Sequence, residues 1–261
     1  MNYFEAVVLA LVEGLTEFLP VSSTGHMIVV SSIFGIADEA FTKLFTIVIQ
    51  LGTILSVIAL YWRRFFQSVD FYMKLFVAFL PAVVFGLLLN DVIDRLLGSP
   101  LVVAISLIIG GFILLKVDEW FKSSSGEEIS YLTALKIGFF QCLAMVPGVS
   151  RSGASIVGGM SQNLSRTTAA EFSFFLAVPT MLGATLKKLY DYYQDGYVLS
   201  QEEINLLIIG NVVGFLVALL AIKTFIDYLS KHGFKIFGYY RILIGAVILL
   251  YHFFIGELST I

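Results

Sequence analysis

The sequence predicts an all-α polytopic membrane protein: six transmembrane helices plus two re-entrant helix hairpins, arranged as an inverted-topology repeat. Three observations predict this: the composition, six long uncharged runs, and a match between two Pro/Gly/Ser-broken segments. Of 261 residues, 58% are hydrophobic and only 13% charged, and the mean hydropathy is +0.92. A soluble domain carries about 25% charged residues. One water-soluble core cannot hide so much apolar surface, so lipid is the solvent for most of it. The net charge of −3 gives no basic field for nucleic acid. A single cysteine, Cys142, excludes an internal disulfide framework and a multi-cysteine metal site. No polar tract is long enough for a separate soluble domain, so residues 1–261 read as one membrane domain. Residues 6–12 resemble a signal-peptide core. However, Glu5 stands where a basic residue belongs and no small-x-small site precedes Glu13, so the segment reads as mature.

The spans follow in chain order. Leu44–Trp62 has 19 uncharged residues, Leu75–Asn90 has 16 and Leu96–Leu115 has 20. In the second half, Phe172–Leu186 has 15, Ile204–Ile222 has 19 and Ile242–Gly256 has 15. About 17–25 residues cross a hydrocarbon core, and the shorter runs extend through Tyr, Trp and Lys at the interface. Two further apolar regions do not read as spans. Residues 2–35 are interrupted by Glu13, Glu17, Pro20 and the Ser22–His26 cluster; residues 131–165 are broken by Pro147-Gly148 and Ser150-Arg151-Ser152. Non-helical backbone at membrane depth survives only inside protein or along a water-filled cavity. Each region is therefore predicted as a re-entrant helix–loop–helix hairpin.

A shift of 128 residues superposes the two regions. Leu15, Val21, Ser22, Gly25, Ile28 and Val29 fall on Leu143, Val149, Ser150, Gly153, Ile156 and Val157. Halves 1–128 and 129–261 then each read as a hairpin followed by three spans. Three is odd, so the second copy is inverted. One face of the membrane receives Arg63, Arg64, Lys74, Lys116, Lys122, Lys136, Arg166, Lys223, Lys231, Lys235 and Arg241; the other receives Lys43, Arg95, Lys187 and Lys188. Arg151 stays at membrane depth. The richer face is predicted to be cytoplasmic, which puts both termini outside.

Ionisable groups at membrane depth cost roughly 2.5–3.5 kcal/mol each on insertion scales, so Glu13, Glu17, His26 and Arg151 each demand a reason. Glu13 and Glu17, four residues apart, share one helix face. A hard divalent cation, Mg²⁺ or Ca²⁺, would relieve their repulsion; two glutamates at a wet interface is the plain alternative. Pro20-Val21-Ser22-Ser23-Thr24-Gly25-His26 sets three hydroxyls beside an imidazole, offering a nucleophile and a base. In the second region, Gly148, Ser150, Arg151, Ser152, Gly153 and Ser155 combine a guanidinium fork, hydroxyls and backbone N–H groups suited to phosphate oxygens. Arg151 as a structural bridge to Glu13 or Glu17 is the alternative there. Ser22, Thr24 and Gln50 are further candidates for phosphate contact or cavity lining. Glu171 reads as support for the second hairpin. The set fits phosphoryl transfer, and the lack of a Walker loop argues against a nucleotide substrate.

The stretches Glu13-Gly-Leu-Thr-Glu17-Phe-Leu-Pro-Val-Ser-Ser23-Thr-Gly-His26 and Pro147-Gly-Val-Ser-Arg151-Ser-Gly-Ala-Ser155 resemble the two signatures of the bacterial undecaprenyl-diphosphate phosphatases of the bacitracin-resistance type. The resemblance covers essentially the whole chain. It implies hydrolysis of undecaprenyl diphosphate in the bacterial plasma (inner) membrane, recycling the carrier for peptidoglycan synthesis. It also implies a divalent cation, Mg²⁺ or Ca²⁺, at Glu13 and Glu17. Ser23 would be the nucleophile, His26 an essential histidine and Arg151 the phosphate-binding arginine. Ser155 stands where that signature commonly has threonine. The expected partners are a polyprenyl-diphosphate lipid and membrane lipid, with a homodimer left open. The rival reading is an inverted-repeat secondary transporter or lipid-carrier flippase, because broken helices meeting at midplane are also transporter architecture.

Overall fold

A computed structural model describes residues 1–64, 68–97 and 99–254. Among them the chain forms twelve α-helices: α1 (Tyr3–Thr16), α2 (Ser23–Phe34), α3 (Ala40–Val48), α4 (Gln50–Leu60), α5 (Val69–Leu88), α6 (Asn90–Leu97), α7 (Pro100–Trp120), α8 (Tyr131–Cys142), α9 (Arg151–Ser161), α10 (Arg166–Gln194), α11 (Gln201–His232) and α12 (Lys235–Phe254). No β-strand occurs among the described residues; Gly126 and Leu164 form a single isolated bridge. Six helices are long and apolar enough to cross a membrane: α3 and α4 taken together as Ala40–Leu60, then α5, α7, α10, α11 and α12. They correspond to the six uncharged runs. Gly98 in the third run, Ile255 and Gly256 in the sixth, and the C-terminus lie outside the described residues.

Serines open most of these helices. Ser68, Ser99, Ser130, Ser165 and Ser200 each accept, on the side-chain oxygen, a backbone N–H of the first turn. Such caps satisfy donors that have no partner inside the helix and are worth about 0.5–2 kcal/mol each. Asn2 and Glu5 form a full capping box on α1. The first span is interrupted at Ile49, where the Gly52 N–H donates to Asn211 Oδ1 of α11 at 2.7 Å. The short α6 was not evident among the uncharged runs, because its sequence, Asn90-Asp-Val-Ile-Asp-Arg-Leu-Leu97, is polar at every turn.

Over the apolar 18-residue stretch of each span, just over half of the residues are buried in α3–α4 and in α10 (56% each), against 17% in α5 and 22% in α12. The first two are therefore the centre of the bundle. The outer helices turn Phe76, Leu80, Val84 and Leu87, or Leu243, Val247, Leu250 and Phe254, outward, an apolar stripe that only lipid can solvate. Around the centre, α1 packs on α11 while α8 packs on α5, α12 packs on α7, and α4 packs on both α10 and α11. The two short helix pairs, α1–α2 and α8–α9, meet at the expected breaks. Phe18, Val21, Ser22, Pro147, Gly148 and Ser150 are buried there. Phe18 stacks edge-on against Phe174 at 5.2 Å, which locks the first break onto α10.

Candidate active site

The two breaks share a backbone solution. Ser22 and Ser150 adopt φ of 69° and 76°, a left-handed conformation unfavourable for a residue with a Cβ by about 1–2 kcal/mol. Each caps the following helix. Ser22 Oγ accepts the Gly25 N–H at 3.5 Å, and Ser150 Oγ accepts the Gly153 N–H at 3.2 Å. A strained turn persists only where its surroundings impose it, and here Arg241 does so. Its guanidinium donates to the carbonyls of Pro20 (3.1 Å), Gly148 (2.8 Å) and Val149 (2.9 Å), and to Ser106 (3.2 Å) and Leu107 (3.4 Å) of α7. Arg241 was expected in a cytoplasmic loop. It is instead buried, 1% exposed, and ties both breaks to one helix. Two glycines make room. A Cβ on Gly110 would run into the guanidinium, and Gly148, at φ 90°, lies so close to the Val103 carbonyl that any side chain would collide.

Glu17 joins the two breaks chemically. Its Oε2 accepts the Ser23 hydroxyl at 2.5 Å, and its Oε1 accepts Arg151 Nη2 at 3.0 Å. Arg151 opens α9, and its Nη1 donates to the Ser173 carbonyl (2.9 Å) and hydroxyl (3.2 Å) on α10. Its guanidinium also lies over the Phe18 ring, 5.7 Å from the centroid. One nitrogen, Nε, is buried without a partner. Ser23, Glu17 and Arg151 thus form one hydrogen-bonded row, 8%, 5% and half-buried respectively. Burial strengthens such charge-assisted bonds.

The remaining predicted residues divide. Ser152 donates to the Leu19 carbonyl at 2.8 Å. Ser155 donates to the Arg151 carbonyl at 2.8 Å and lies 2.6 Å from the Ser173 hydroxyl. The hydroxyls of Ser22, Ser150, Ser152 and Ser155, the Gly153 N–H and the Gly148 carbonyl are thus bonded to protein and hold the breaks in shape. Thr24 and Gln50 instead line a cavity of about 460 Å³ that reaches Glu13. His26 turns the other way. Its Nδ1 lies 2.8 Å from the Ser22 carbonyl and its Nε2 lies 2.7 Å from the Tyr240 hydroxyl. A carbonyl can only accept, so Nδ1 carries the proton and Nε2 accepts from Tyr240. The ring, stacked on Tyr240, bonds to neither Ser23 nor Glu17. Glu171 forms an ion pair with Arg64 at 3.3 Å, a support role.

Glu13 is 1% exposed and its Oε1 has no hydrogen-bond partner. A buried carboxylate oxygen left open beside Glu17 suits a hard cation. Among the described residues no cluster of three His, Cys, Asp or Glu side chains occurs, so protein offers at most two carboxylates. Mg²⁺ tolerates this, because it commonly binds one or two carboxylates and completes its shell with water and substrate phosphate.

Fold and site together define a polytopic membrane protein with an acid–hydroxyl–guanidinium cluster buried inside its helices. The family described as bacitracin resistance protein BacA matches residues 6–247. The chain is 72% identical to the undecaprenyl-diphosphatase of Flavobacterium psychrophilum over the full length of both. It is 71% identical to that of Flavobacterium johnsoniae, again over both full lengths, and 52% identical to that of Bdellovibrio bacteriovorus over 96% of each chain. The chain belongs to the BacA family.

Proposed function

We propose that the chain hydrolyses undecaprenyl diphosphate to undecaprenyl phosphate and inorganic phosphate, returning the lipid carrier to cell-wall synthesis. Full-length identity to undecaprenyl-diphosphatases supports the substrate, and bacitracin resistance follows from the family. The observation that carries the chemistry is the short bond from Ser23 Oγ to a Glu17 carboxylate held on its other oxygen by Arg151. A serine is a weak nucleophile until a neighbour takes its proton, and Glu17 is the group in place to take it.

Ser23 Oγ attacks the terminal phosphorus. As that O–P bond forms, the hydroxyl proton passes to Glu17 Oε2. The bond from phosphorus to the bridging oxygen breaks, and its electron pair leaves on the lipid monophosphate. Water then attacks the phosphoserine phosphorus; as its O–P bond forms, the bond to Ser23 Oγ breaks, that oxygen takes its proton back from Glu17, and both protons of the water leave on the inorganic phosphate. Arg151 keeps Nη1 on Ser173 and Nη2 on Glu17, leaving the unpartnered Nε to donate to a phosphate oxygen. Glu13 and Glu17 would hold a divalent cation, Mg²⁺ or Ca²⁺, which when bound supplies positive charge against the phosphate oxygens. His26, positioned by Tyr240 and the Ser22 carbonyl, would shape the turn that carries Ser23.

The proposed setting is the bacterial plasma membrane. With Arg241 removed from the loops, ten basic residues remain on one face and four on the other, so the richer face is assigned to the cytoplasm and the N-terminus to the outside. Two features favour re-entrant hairpins in inverted halves, 1–128 and 129–261. One is the exchange of partners, α1 on α11 and α8 on α5. The other is the pair of left-handed serine caps at positions 22 and 150.

The carrier reading is separated by phosphate release in detergent, where no compartments exist. Purified protein is expected to release inorganic phosphate from a polyprenyl diphosphate under those conditions, and chelation with EDTA is expected to stop it. A protein that releases none would return the chain to the transporter class. Turnover that persists in EDTA would remove the metal from the mechanism.

A further inference from the structure

The cavity that reaches Glu13 has a second charged region which the phosphoryl transfer above leaves unused. Lys43, near the start of α3, and Lys188, near the end of α10, line it together with Glu13, Thr24 and Gln50. Both lysines are half-buried, whereas Glu13 is buried, so the lysines form the more accessible charged part of the lining and Glu13 the less accessible one. The Thr185 hydroxyl donates to the Ile47 carbonyl at 3.3 Å, which holds α10 against α3.

Half-buried ammonium groups ordinarily find a carboxylate. Here the nearest acids in the sequence are engaged elsewhere. Glu39, one turn before Lys43, takes the Met1 amino group at 3.0 Å and the Thr42 hydroxyl at 3.2 Å. Asp191, within one turn of Lys188, is held by Lys187 at 2.6 Å. Lys187 and Lys188 are neighbours in sequence but point about 100° apart around the helix: one runs along the outside to Asp191, the other turns into the cavity. Among the described residues no carboxylate lies within ion-pair distance of Lys43 or Lys188. Two cations without a carboxylate partner in the lining of a cavity attract anions into it. A lysine ammonium is a compact, hydrated charge with three rotatable donors, suited to holding a phosphate briefly rather than clamping it.

We propose that Lys43 and Lys188 form a second anion subsite that takes a phosphate group on its way to or from Ser23. The proposal rests on the phosphatase reading for its ligand class: a phosphate dianion, carried on the lipid headgroup or free as the inorganic product. Lysines that only anchored their helices at the membrane surface would be indifferent to free phosphate.

The test compares detergent-purified wild type, K43Q, K188Q, the double glutamine variant and the double variant K43R/K188R. Each is assayed for phosphate release from a polyprenyl diphosphate, with inorganic phosphate added as inhibitor, and is titrated calorimetrically with inorganic phosphate alone. Elution profile and melting temperature establish that each variant is folded. The double glutamine variant is expected to raise KM, and the Ki and Kd for phosphate, by about tenfold, with kcat within about twofold; the arginines restore all three. A shift in Ki and Kd alone assigns the subsite to the released product, and a shift in KM alone assigns it to the headgroup; either supports the proposal. Unchanged KM and Ki, or a loss confined to kcat, overturns it. If wild type releases no phosphate, the phosphatase reading has failed by itself, and the titration still decides the subsite: weaker phosphate binding in the double glutamine variant supports it, equal binding overturns it.

Discussion

The two breaks in the helices have nearly the same backbone and opposite chemistry. Each turns on a serine with positive φ that caps the next helix through a glycine N–H three residues on, and both are held by the same guanidinium of Arg241. In the first, the next residue is Ser23, whose hydroxyl reaches Glu17. In the second, the next residue is Arg151, which reaches the same Glu17 from the other side. The hydroxyls of the second break are occupied with backbone, with one another and with Ser173 of α10. In the proposed mechanism the first break is the reactive one, and the second supplies scaffold plus a single cation. Two turns of similar shape that meet at one carboxylate thus present it with two different donors, a hydroxyl from the first and a guanidinium from the second.

That division can be broken at its shared atom group first. Glu17→Gln removes both the proton acceptor of Ser23 and the counter-charge of Arg151. It should lower kcat by about 10³-fold in the phosphate-release assay, within the range general-base catalysis supplies; a loss under tenfold would mean that another group takes the proton. Arg151→Lys keeps the charge but loses the fork that spans Ser173 and Glu17. A fall in kcat/KM of about 10²-fold is expected, and full activity would reduce Arg151 to a point charge. The scaffold serines should behave as a matched pair. Ser22→Ala and Ser150→Ala each lose a cap in a strained turn, so each should lower stability by about 1 kcal/mol, read as melting temperature in detergent. Unequal shifts would show that the two turns are not equivalent. Smallest of all, Tyr240→Phe should change kcat less than tenfold, because His26 keeps its bond to the Ser22 carbonyl; a collapse of activity would bring His26 back into the chemistry.

Much of this was legible in the sequence. The six spans follow from charge-free runs, and Glu13, Glu17, Ser23 and Arg151 stand out because charge and hydroxyls at membrane depth demand partners. Three things were not legible. Arg241 borders a run and so counts as a loop cation by position; only the helix packed against it shows that its side chain turns inward. The adjacent Gly110 and Gly111 were the available signal, since a glycine pair in mid-span marks the close approach of another group. His26 follows Ser23 by three residues, which suggests a base, yet on a helix that begins at Ser23 its ring points to α12. Finally, the hydroxyls of Ser150, Ser152 and Ser155 look like phosphate ligands by composition. In the structure they satisfy buried backbone, the commoner use of a hydroxyl inside a membrane helix.

The most direct measurement replaces the single oxygen on which this chemistry turns. Purified Ser23→Ala, given a polyprenyl diphosphate and Mg²⁺ in detergent, should elute and melt as wild type does while its phosphate release drops to the uncatalysed background. Phosphate release near the wild-type rate would contradict attack by Ser23 and leave water as the nucleophile.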